Sequence, residues 1–235
     1  MSNKIDLKNV PQHIAIIMDG NRRWAKNHNL SISEGHKAGA QNLEKVIKYC
    51  RKIGIKRVTV YALSTENWRF RSPQEVKGLF NLLLDIVKNK THEFQQSGVK
   101  LFVLGNISAF PQKIKNAIKK LLKKTILKEE ISVNIALNYG GRDEIVNAVK
   151  LIVKDKVPVN KINEKLISRY LYTKEQPDPE LIIRPGGEYR ISNFLIWQTS
   201  YSEFYFSDIL WPDFDEKQME KAILWYQQRQ RRFGK

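Results

Sequence analysis

The sequence predicts an α/β protein: a single domain with a central, mostly parallel six-stranded sheet flanked by helices. Three observations carry this. Short β-branched or apolar runs alternate with longer segments of helical periodicity along the whole chain. No internal repeat, low-complexity stretch or linker interrupts the 235 residues, a length that fits one α/β domain. Apolar residues make up 42%, enough for a substantial core. Residues 1–10 are expected to be flexible.

The first strand is the run Ile14-Ala15-Ile16-Ile17-Met18, which stops at Asp19-Gly20-Asn21 before Arg22, Arg23 and Trp24. Residues 26–34 are polar and read as a mobile loop. A helix follows over 35–53, with Leu43, Val46, Ile47, Cys50 and Ile53 at three-to-four spacing and Gly54 as its cap. The second strand, RVTVYAL at 57–63, ends in the polar Ser64-Thr65-Glu66-Asn67-Trp68. Pro73 opens a long helix to about residue 96. Its apolar positions (Val76, Leu79, Phe80, Leu82, Leu83, Leu84, Ile86, Val87) cover more arc than a surface helix needs. Such a helix is either buried between neighbours or lines an apolar ligand cavity. Strands are expected at 99–104 and 131–137, with a basic amphipathic helix over 111–127 between them. Asn138-Tyr139-Gly140-Gly141-Arg142 then leads into a helix to about 153. A short helix at 163–170, a fifth strand at 181–183, a short helix near 193–198, a sixth strand around 204–206 and a closing helix over 215–229 complete the chain.

The charge is one-sided: 41 Lys+Arg against 24 Asp+Glu, a formal net +17. Such a chain attracts polyanions, whether nucleic acid, an anionic membrane surface or a phosphorylated small substrate. The lysines are spread over helices and read as solvated faces. The arginines cluster beside turns and glycines, and guanidinium forks suit phosphate. A lone cysteine, Cys50, rules out an intrachain disulfide and suits a reducing compartment. The N-terminus lacks a signal-peptide core, and no apolar run nears the ~20 residues of a membrane span. The expectation is a cytoplasmic protein with at most peripheral contact at the inner face of the membrane.

Polar clusters fall at the ends of strands one, two, four and five, and parallel strands put those ends on one edge of the sheet. Asp19 beside Arg22 and Arg23 suits a metal ion with a phosphorylated ligand, or else is a β-to-α turn with solvated arginines. In Arg184-Pro185-Gly186-Gly187-Glu188-Tyr189-Arg190-Ile191-Ser192, two arginines flank glycines that allow close backbone approach, and Ser192 can cap a helix or meet a phosphate oxygen. Glu203, set among Tyr201, Phe204, Tyr205 and Phe206, either faces water or finds a cation, because carboxylates are almost never buried unpaired. Walker-A, G-x-G-x-x-G and G-x-S-x-G patterns are absent, and the four histidines lack zinc spacing. His36, just after the first polar loop, is a further site candidate. The chemistry that fits is metal-assisted handling of a phosphate or diphosphate without a covalent nucleophile.

Together MDGNRRWA (18–25), GHKAG (35–39), YALSTENW (61–68), NYGGRDE (138–144), RPGGEYRISNFLIWQTSYSEFYF (184–206) and LWPDF (210–214) resemble the cis-prenyltransferases, whose bacterial members are undecaprenyl diphosphate synthases. The resemblance runs from about residue 11 to 234. It implies extension of an allylic diphosphate, typically farnesyl diphosphate, by isopentenyl diphosphate units with cis double bonds, giving the lipid carrier precursor for cell-wall synthesis. It also implies magnesium, a homodimer and a hydrophobic tunnel. By position, Asp19 resembles the magnesium-linked aspartate. Gly20, Asn21, Arg22, Arg23 and Trp24 fall in the loop that holds the allylic diphosphate. His36 and Ser64 match polar site positions, and Asn67 and Trp68 match a covering loop. Arg184, Arg190 and Ser192 resemble the isopentenyl diphosphate site, Glu203 a second metal-linked carboxylate, and Arg231 and Arg232 a basic pair near the partner's site. The proton acceptor is Asp19, Asn21 or Ser64 with water, or the leaving diphosphate.

The chain departs from the family pattern at four places. Ile32 stands where an allylic-site arginine is usual, so Arg22 is expected to compensate. The loop after Trp68 is one residue longer, leaving either Arg69 or Arg71 as the family arginine. Pro185 replaces a threonine, and Asn106 an aspartate. The alternatives are a shorter-chain synthase and, from the charge alone, a basic nucleic-acid-binding domain; the leading reading involves no nucleic acid.

Overall fold

Six strands form one sheet: β1 (His13–Ile17), β2 (Arg57–Ser64), β3 (Val99–Leu104), β4 (Ile131–Tyr139), β5 (Leu181–Pro185) and β6 (Glu203–Ser207). The computed structural model that contains them describes residues 4–125, 129–174 and 176–229. The strand order is β3-β4-β2-β1-β5-β6 and every neighbouring pair is parallel. Parallel strands covered on both faces read as apolar runs, and β1 and β5 are buried at every position. All C-terminal strand ends therefore share one edge. β1 sits between β2 and β5, where the strand order reverses and where open α/β sheets bind ligands.

The described residues also form helices α1 (Asn21–Asn27), α2 (Ile32–Lys52), α3 (Thr65–Phe70), α4 (Pro73–Asn89), α5 (Thr91–Gln96), α6 (Gln112–Lys124), α7 (Gly141–Lys154), α8 (Glu164–Tyr170) and α9 (Glu216–Gln227). Successive strand residues point to opposite faces, so β1 feeds two cores. Ile14 and Ile16 pack in a core with Val46 and Cys50 of α2 and Ile223 of α9. Ala15 and Ile17 pack with Phe194 and Leu195 on the other face.

Three local expectations are corrected. Residues 26–34 are not one loop: only 28–31 lie outside helix. α1 begins at Asn21, and α2 begins at Ile32 behind a capping box, in which Ser31 Oγ accepts from the Glu34 amide and Glu34 Oε2 accepts from the Ser31 amide at 2.8 Å. The long helix breaks at Lys90 into α4 and α5. There the Thr91 hydroxyl donates to the Val87 carbonyl at 2.5 Å, a back-bond that bends helices. No helix forms over 193–198, because Ser192, Asn193 and Leu195 all have positive φ. Near the N-terminus, the Gln227 amide donates to the carbonyls of Asp6 and Asn9, and its Oε1 accepts from the Asp6 amide. The far end of the helix expected over 111–127 lies outside the described residues.

β2 carries an irregularity in its pairing with β4 between Tyr61 and Ser64. Such bulges re-aim side chains near sites. Here both Ala62 and Leu63 turn to one apolar cavity, while Ser64 reaches the polar strand-end edge.

Candidate active site

At the edge where β1 and β5 end, Asp19 and Arg184 meet. Arg184 Nη2 donates to Asp19 Oδ2 at 2.8 Å, and Arg23 Nη2 to Asp19 Oδ1 at 3.1 Å. The Arg184 side chain is only 4% exposed, whereas Asp19 is 28% exposed. Arg184 Nη1 donates to Ser192 Oγ at 2.8 Å and to the Arg190 carbonyl, and its Nε is buried without a hydrogen bond. The double glycine permits this crowding. Gly186 has φ +98°, and a Cβ there would lie 2.8 Å from Arg23 Nη2. The Leu-Trp-Pro-Asp-Phe segment holds the Asp19 backbone, since the Trp211 amide donates to the Asp19 carbonyl at 2.9 Å. Gly20, at φ +110°, makes the turn into α1.

The G-H-K-A-G motif also has a physical account. Gly35 and Gly39 lie four apart on α2, one above the other, and the start of α1 rests on them. A Cβ on Gly35 would stand 2.3 Å from the Asn21 carbonyl oxygen, and one on Gly39 would stand 2.2 Å from Asn21 Oδ1. Between them His36 faces Glu75 of α4, with Nε2 3.5 Å from Oε1. Arg71 Nε lies 3.4 Å from the same oxygen, and Arg22 Nη1 4.0 Å from Oε2. Burial, with the Arg71 charge next, lowers the His36 pKa, so the imidazole is neutral at pH 7. The opening between these groups is lined by Asp19, Asn21, Arg22, His36, Ser64, Asn67, Arg71, Arg184 and Ser192. Nine of the sequence-predicted site residues thus share one cleft.

Others stand apart. Ser64 Oγ caps α3, accepting from the Asn67 amide at 2.9 Å. Arg71 lines the cleft and Arg69 is exposed, which separates two arginines that counting could not. Trp68 packs on Phe80 and Phe110. Trp24 turns away, stacking on His28 and donating to Asp213 Oδ1 at 2.8 Å. Arg190 pairs with Glu188 in solvent. Glu203 opens β6 opposite Leu181, while Leu181 pairs with Ile14. Asp19 lies five residues beyond Ile14, roughly 16 Å along the strand direction. Within one chain Glu203 is therefore not part of this cleft, and its carboxylate faces Arg229 at 3.4 Å. Arg231 and Arg232 lie outside the described residues.

Sequence reasoning missed Glu75 and Asn193. Asn193 accepts from the amides of Gly141 and Arg142 through its carbonyl and Oδ1, supplying α7's unpaired first-turn donors, and donates to Glu66 Oε1 at 2.9 Å. An asparagine tolerant of positive φ was the available signal. Glu144, fully buried, accepts from Tyr139 Oη, Gln198 Nε2 and the Tyr172 amide. Burial raises its pKa. It anchors the Arg-Gly-Gly segment's continuation and does not face the cleft.

Behind the polar cleft lies an apolar cavity of about 180 Å³, running from Met18 and Asn21 past Ala62, Leu137 and Phe80 to Leu101, Leu121 and Val133. α4 has no fully buried residue, although Leu79, Phe80, Leu82, Leu83 and Ile86 line the cavity. Of its two readings, the cavity wall is the one realised.

The chain matches the sequence pattern of the prenyltransferase family described as undecaprenyl diphosphate synthase over residues 17–234. The chain belongs to this family. An isoprenyl transferase of Clostridium tetani is 48% identical, covering 98% of this chain and 92% of the relative. A (2E,6E)-farnesyl-diphosphate-specific ditrans,polycis-undecaprenyl-diphosphate synthase of Pasteurella multocida is 44% identical, covering 98% of each. The crystal structure of lavandulyl diphosphate synthase from Lavandula x intermedia, in complex with dimethylallyl diphosphate, superposes with a TM-score of 0.91 at 33% identity, over 96% of this chain and 99% of that one. The family relation gives this prenyltransferase its fold class and transferase chemistry. Among the described residues no helix is long and apolar enough to cross a membrane.

The family implies magnesium. Among the described residues no three Asp, Glu, His or Cys groups gather as a protein cage. Magnesium is commonly held by one or two carboxylates plus substrate phosphates and waters. Asp19, a partly exposed carboxylate at the cleft, fits that mode; Glu203 of the same chain does not.

Proposed function

We propose that this prenyltransferase extends farnesyl diphosphate with isopentenyl diphosphate units, forming cis double bonds, to a long-chain polyprenyl diphosphate such as undecaprenyl diphosphate. The observation that carries this is the continuity of a cationic cleft with an apolar cavity, which suits a molecule with a diphosphate head and a growing hydrocarbon tail. The cavity is smaller than the roughly 300–1,000 Å³ of ordinary ligand pockets. A long product therefore requires α4, which packs without a buried residue, to give way.

Arg22, Arg71 and His36 would hold the allylic diphosphate, with Arg23 and the Gly20 turn beside it, and the apolar chain would enter between α2 and α4. Arg184, Ser192 and Arg190 would hold isopentenyl diphosphate on the β5 side. The isopentenyl double bond attacks C1 of the allyl group, the C1–oxygen bond breaks, and a proton leaves the new chain. Asp19 would hold magnesium, which supplies charge neutralisation on diphosphate oxygens. Arg22 and Arg71, preset in the cleft, stabilise negative charge as it builds on the leaving group. Asn21 orients the reacting groups, and the candidate proton acceptors are Asp19, Asn21, Ser64 with water, and the departing diphosphate. Asn67 and Trp68, on α3 over the cavity mouth, would exclude water.

A homodimer is part of this reading, and a metal role for Glu203 requires a second copy to present it. The lipid product and the net +17 charge favour a cytoplasmic enzyme docking peripherally on anionic lipid, and the product would serve cell-wall synthesis. The test is incubation with farnesyl diphosphate, labelled isopentenyl diphosphate and magnesium, followed by measurement of chain length. Magnesium-dependent long cis products are expected; no incorporation would overturn the reading.

A further inference from the structure

Buried polar atoms are rarely left without a hydrogen bond. Among the described residues eight side-chain atoms are, and four of them, Asn21 Oδ1, His36 Nε2, Arg71 Nη1 and Glu75 Oε1, lie around the allylic side of the cleft. Glu75 stands at their centre. Its side chain is 8% exposed, and its carboxylate faces Arg71 at 3.4 Å, His36 at 3.5 Å and Arg22 at 4.0 Å. None of these contacts closes into a hydrogen bond. The groups come from α1, α2, α4 and the turn before α4, so one carboxylate stands among four pieces of chain. Neutral His36 adds no charge, which leaves two guanidiniums against one carboxylate.

This is an odd composition for a site that receives a diphosphate, because a carboxylate there repels the ligand. It makes sense as the site's own counter-ion. Two guanidiniums held close together without an anion would repel each other and splay. Conversely, two guanidiniums with no competing anion would hold a diphosphate too firmly for repeated cycles, each of which ends with diphosphate leaving. A loosely engaged carboxylate answers both demands. It keeps Arg22 and Arg71 together in the empty enzyme and weakens the grip on the departing anion.

We propose that Glu75 is a positioning residue that serves as the internal counter-ion of the allylic-diphosphate site, setting how tightly diphosphate is held through Arg71 and Arg22. The inference rests on the assignment of this cleft to the allylic diphosphate. Glu75 makes no bond to substrate and takes no proton from it.

The test is binding of inorganic diphosphate, measured by calorimetry on the full chain with magnesium, for wild type, Glu75→Gln and Glu75→Asp. Glu75→Gln removes the charge and keeps the shape, so its Kd is expected to fall about tenfold, a cautious figure for one like charge at this distance. Glu75→Asp retracts the carboxylate and should fall between Glu75→Gln and wild type. In steady state Glu75→Gln should lower the KM for the allylic diphosphate and also lower kcat, with the KM for isopentenyl diphosphate unchanged. A merely structural role would give unchanged or weaker diphosphate binding, which overturns the proposal. Should Glu75→Gln fail to fold by thermal melt, Glu75→Asp decides alone: wild-type or weaker binding overturns the proposal. Failure of wild type to bind diphosphate would instead overturn the site assignment beneath it.

Discussion

Arg184 Nη2 donates to Asp19 Oδ2 at 2.8 Å across 165 residues of sequence. The contact sits at the reversal point of the strand order, between β1 and β5. It joins the two motifs assigned to the allylic and isopentenyl diphosphates. Asp19→Ala is therefore expected to abolish elongation, by at least roughly 10²–10³ in kcat. It leaves a nearly buried guanidinium short of one acceptor, at a cost of about 1–3 kcal/mol. Ser192 and the Arg190 carbonyl still hold Arg184, so the fold should survive. Label incorporation and a thermal melt on the same preparation check both halves, and near-normal activity would sink the assignment of Asp19.

Arg69 and Arg71 compete for one family position, and the cleft separates them. Arg71 lines it beside Glu75 and His36, while Arg69 is exposed. Arg71→Ala should raise the KM for the allylic diphosphate by about tenfold or more, the range of a lost charge-assisted hydrogen bond. Arg69→Ala should leave it within twofold. Equal effects in the two variants would show that counting from Trp68 was the better guide.

The fold class was legible because parallel strands advertise themselves as short apolar runs, and β1 to β5 all lie within two residues of where those runs sit. The site was legible because arginines and a carboxylate gather at strand ends. Three features were not. α1 was hidden because NRRWAKN is polar and begins at a glycine rather than a side-chain cap. The break at Lys90 depends on a threonine hydroxyl turning back on its own helix. Glu75 is an acid in the first turn of α4, an ordinary place for one, and only the packing of α4 and its preceding turn against α1 and α2 gathers Arg22, His36 and Arg71 around it. Glu203 shows the converse: a motif can lie in the right family order and still end at the opposite edge of the sheet.

Acid stability should hinge on His13. Its ring is buried between Pro177 and Thr59, with Nδ1 2.7 Å from the Pro177 carbonyl and Nε2 2.7 Å from Thr59 Oγ1. Asn134 Nδ2 donates to Thr59 Oγ1, also at 2.7 Å. The carbonyl needs Nδ1–H, and the Thr59 hydroxyl, already accepting from Asn134, donates to Nε2, so the neutral tautomer satisfies the chain. Burial lowers the pKa from 6.5 to about 4. Between those values the unfolded chain binds the proton that the folded one refuses, so stability falls as pH drops from 6.5 to about 4 and levels off below. The loss is about 3 kcal/mol for one such group. Urea melts of wild type and His13→Gln across this range check it; the variant should be less stable at pH 7 but show a flatter profile. An equal slope in both would place the acid sensitivity elsewhere.

Gly35 and Gly39 should separate folding from catalysis. A Cβ on Gly35 meets the Asn21 backbone oxygen at 2.3 Å and Ala25 Cβ at 2.8 Å. Neither can retreat without moving α1, so Gly35→Ala should destabilise by about 1–3 kcal/mol, the range of overpacking. On Gly39 the nearest atoms are Asn21 Oδ1 at 2.2 Å and Cγ at 2.9 Å, then Trp211 Cδ1 at 3.0 Å. The Asn21 side chain can rotate away, and alanine in mid-helix gains up to about 1 kcal/mol over glycine. Gly39→Ala should therefore melt close to wild type while losing most elongation activity, because the Asn21 amide, proposed to orient the substrates, is turned out of place. If Gly39→Ala is fully active, Asn21 has no such role; if it is inactive only because it unfolds, the two glycines share one structural duty at the seam between α1 and α2.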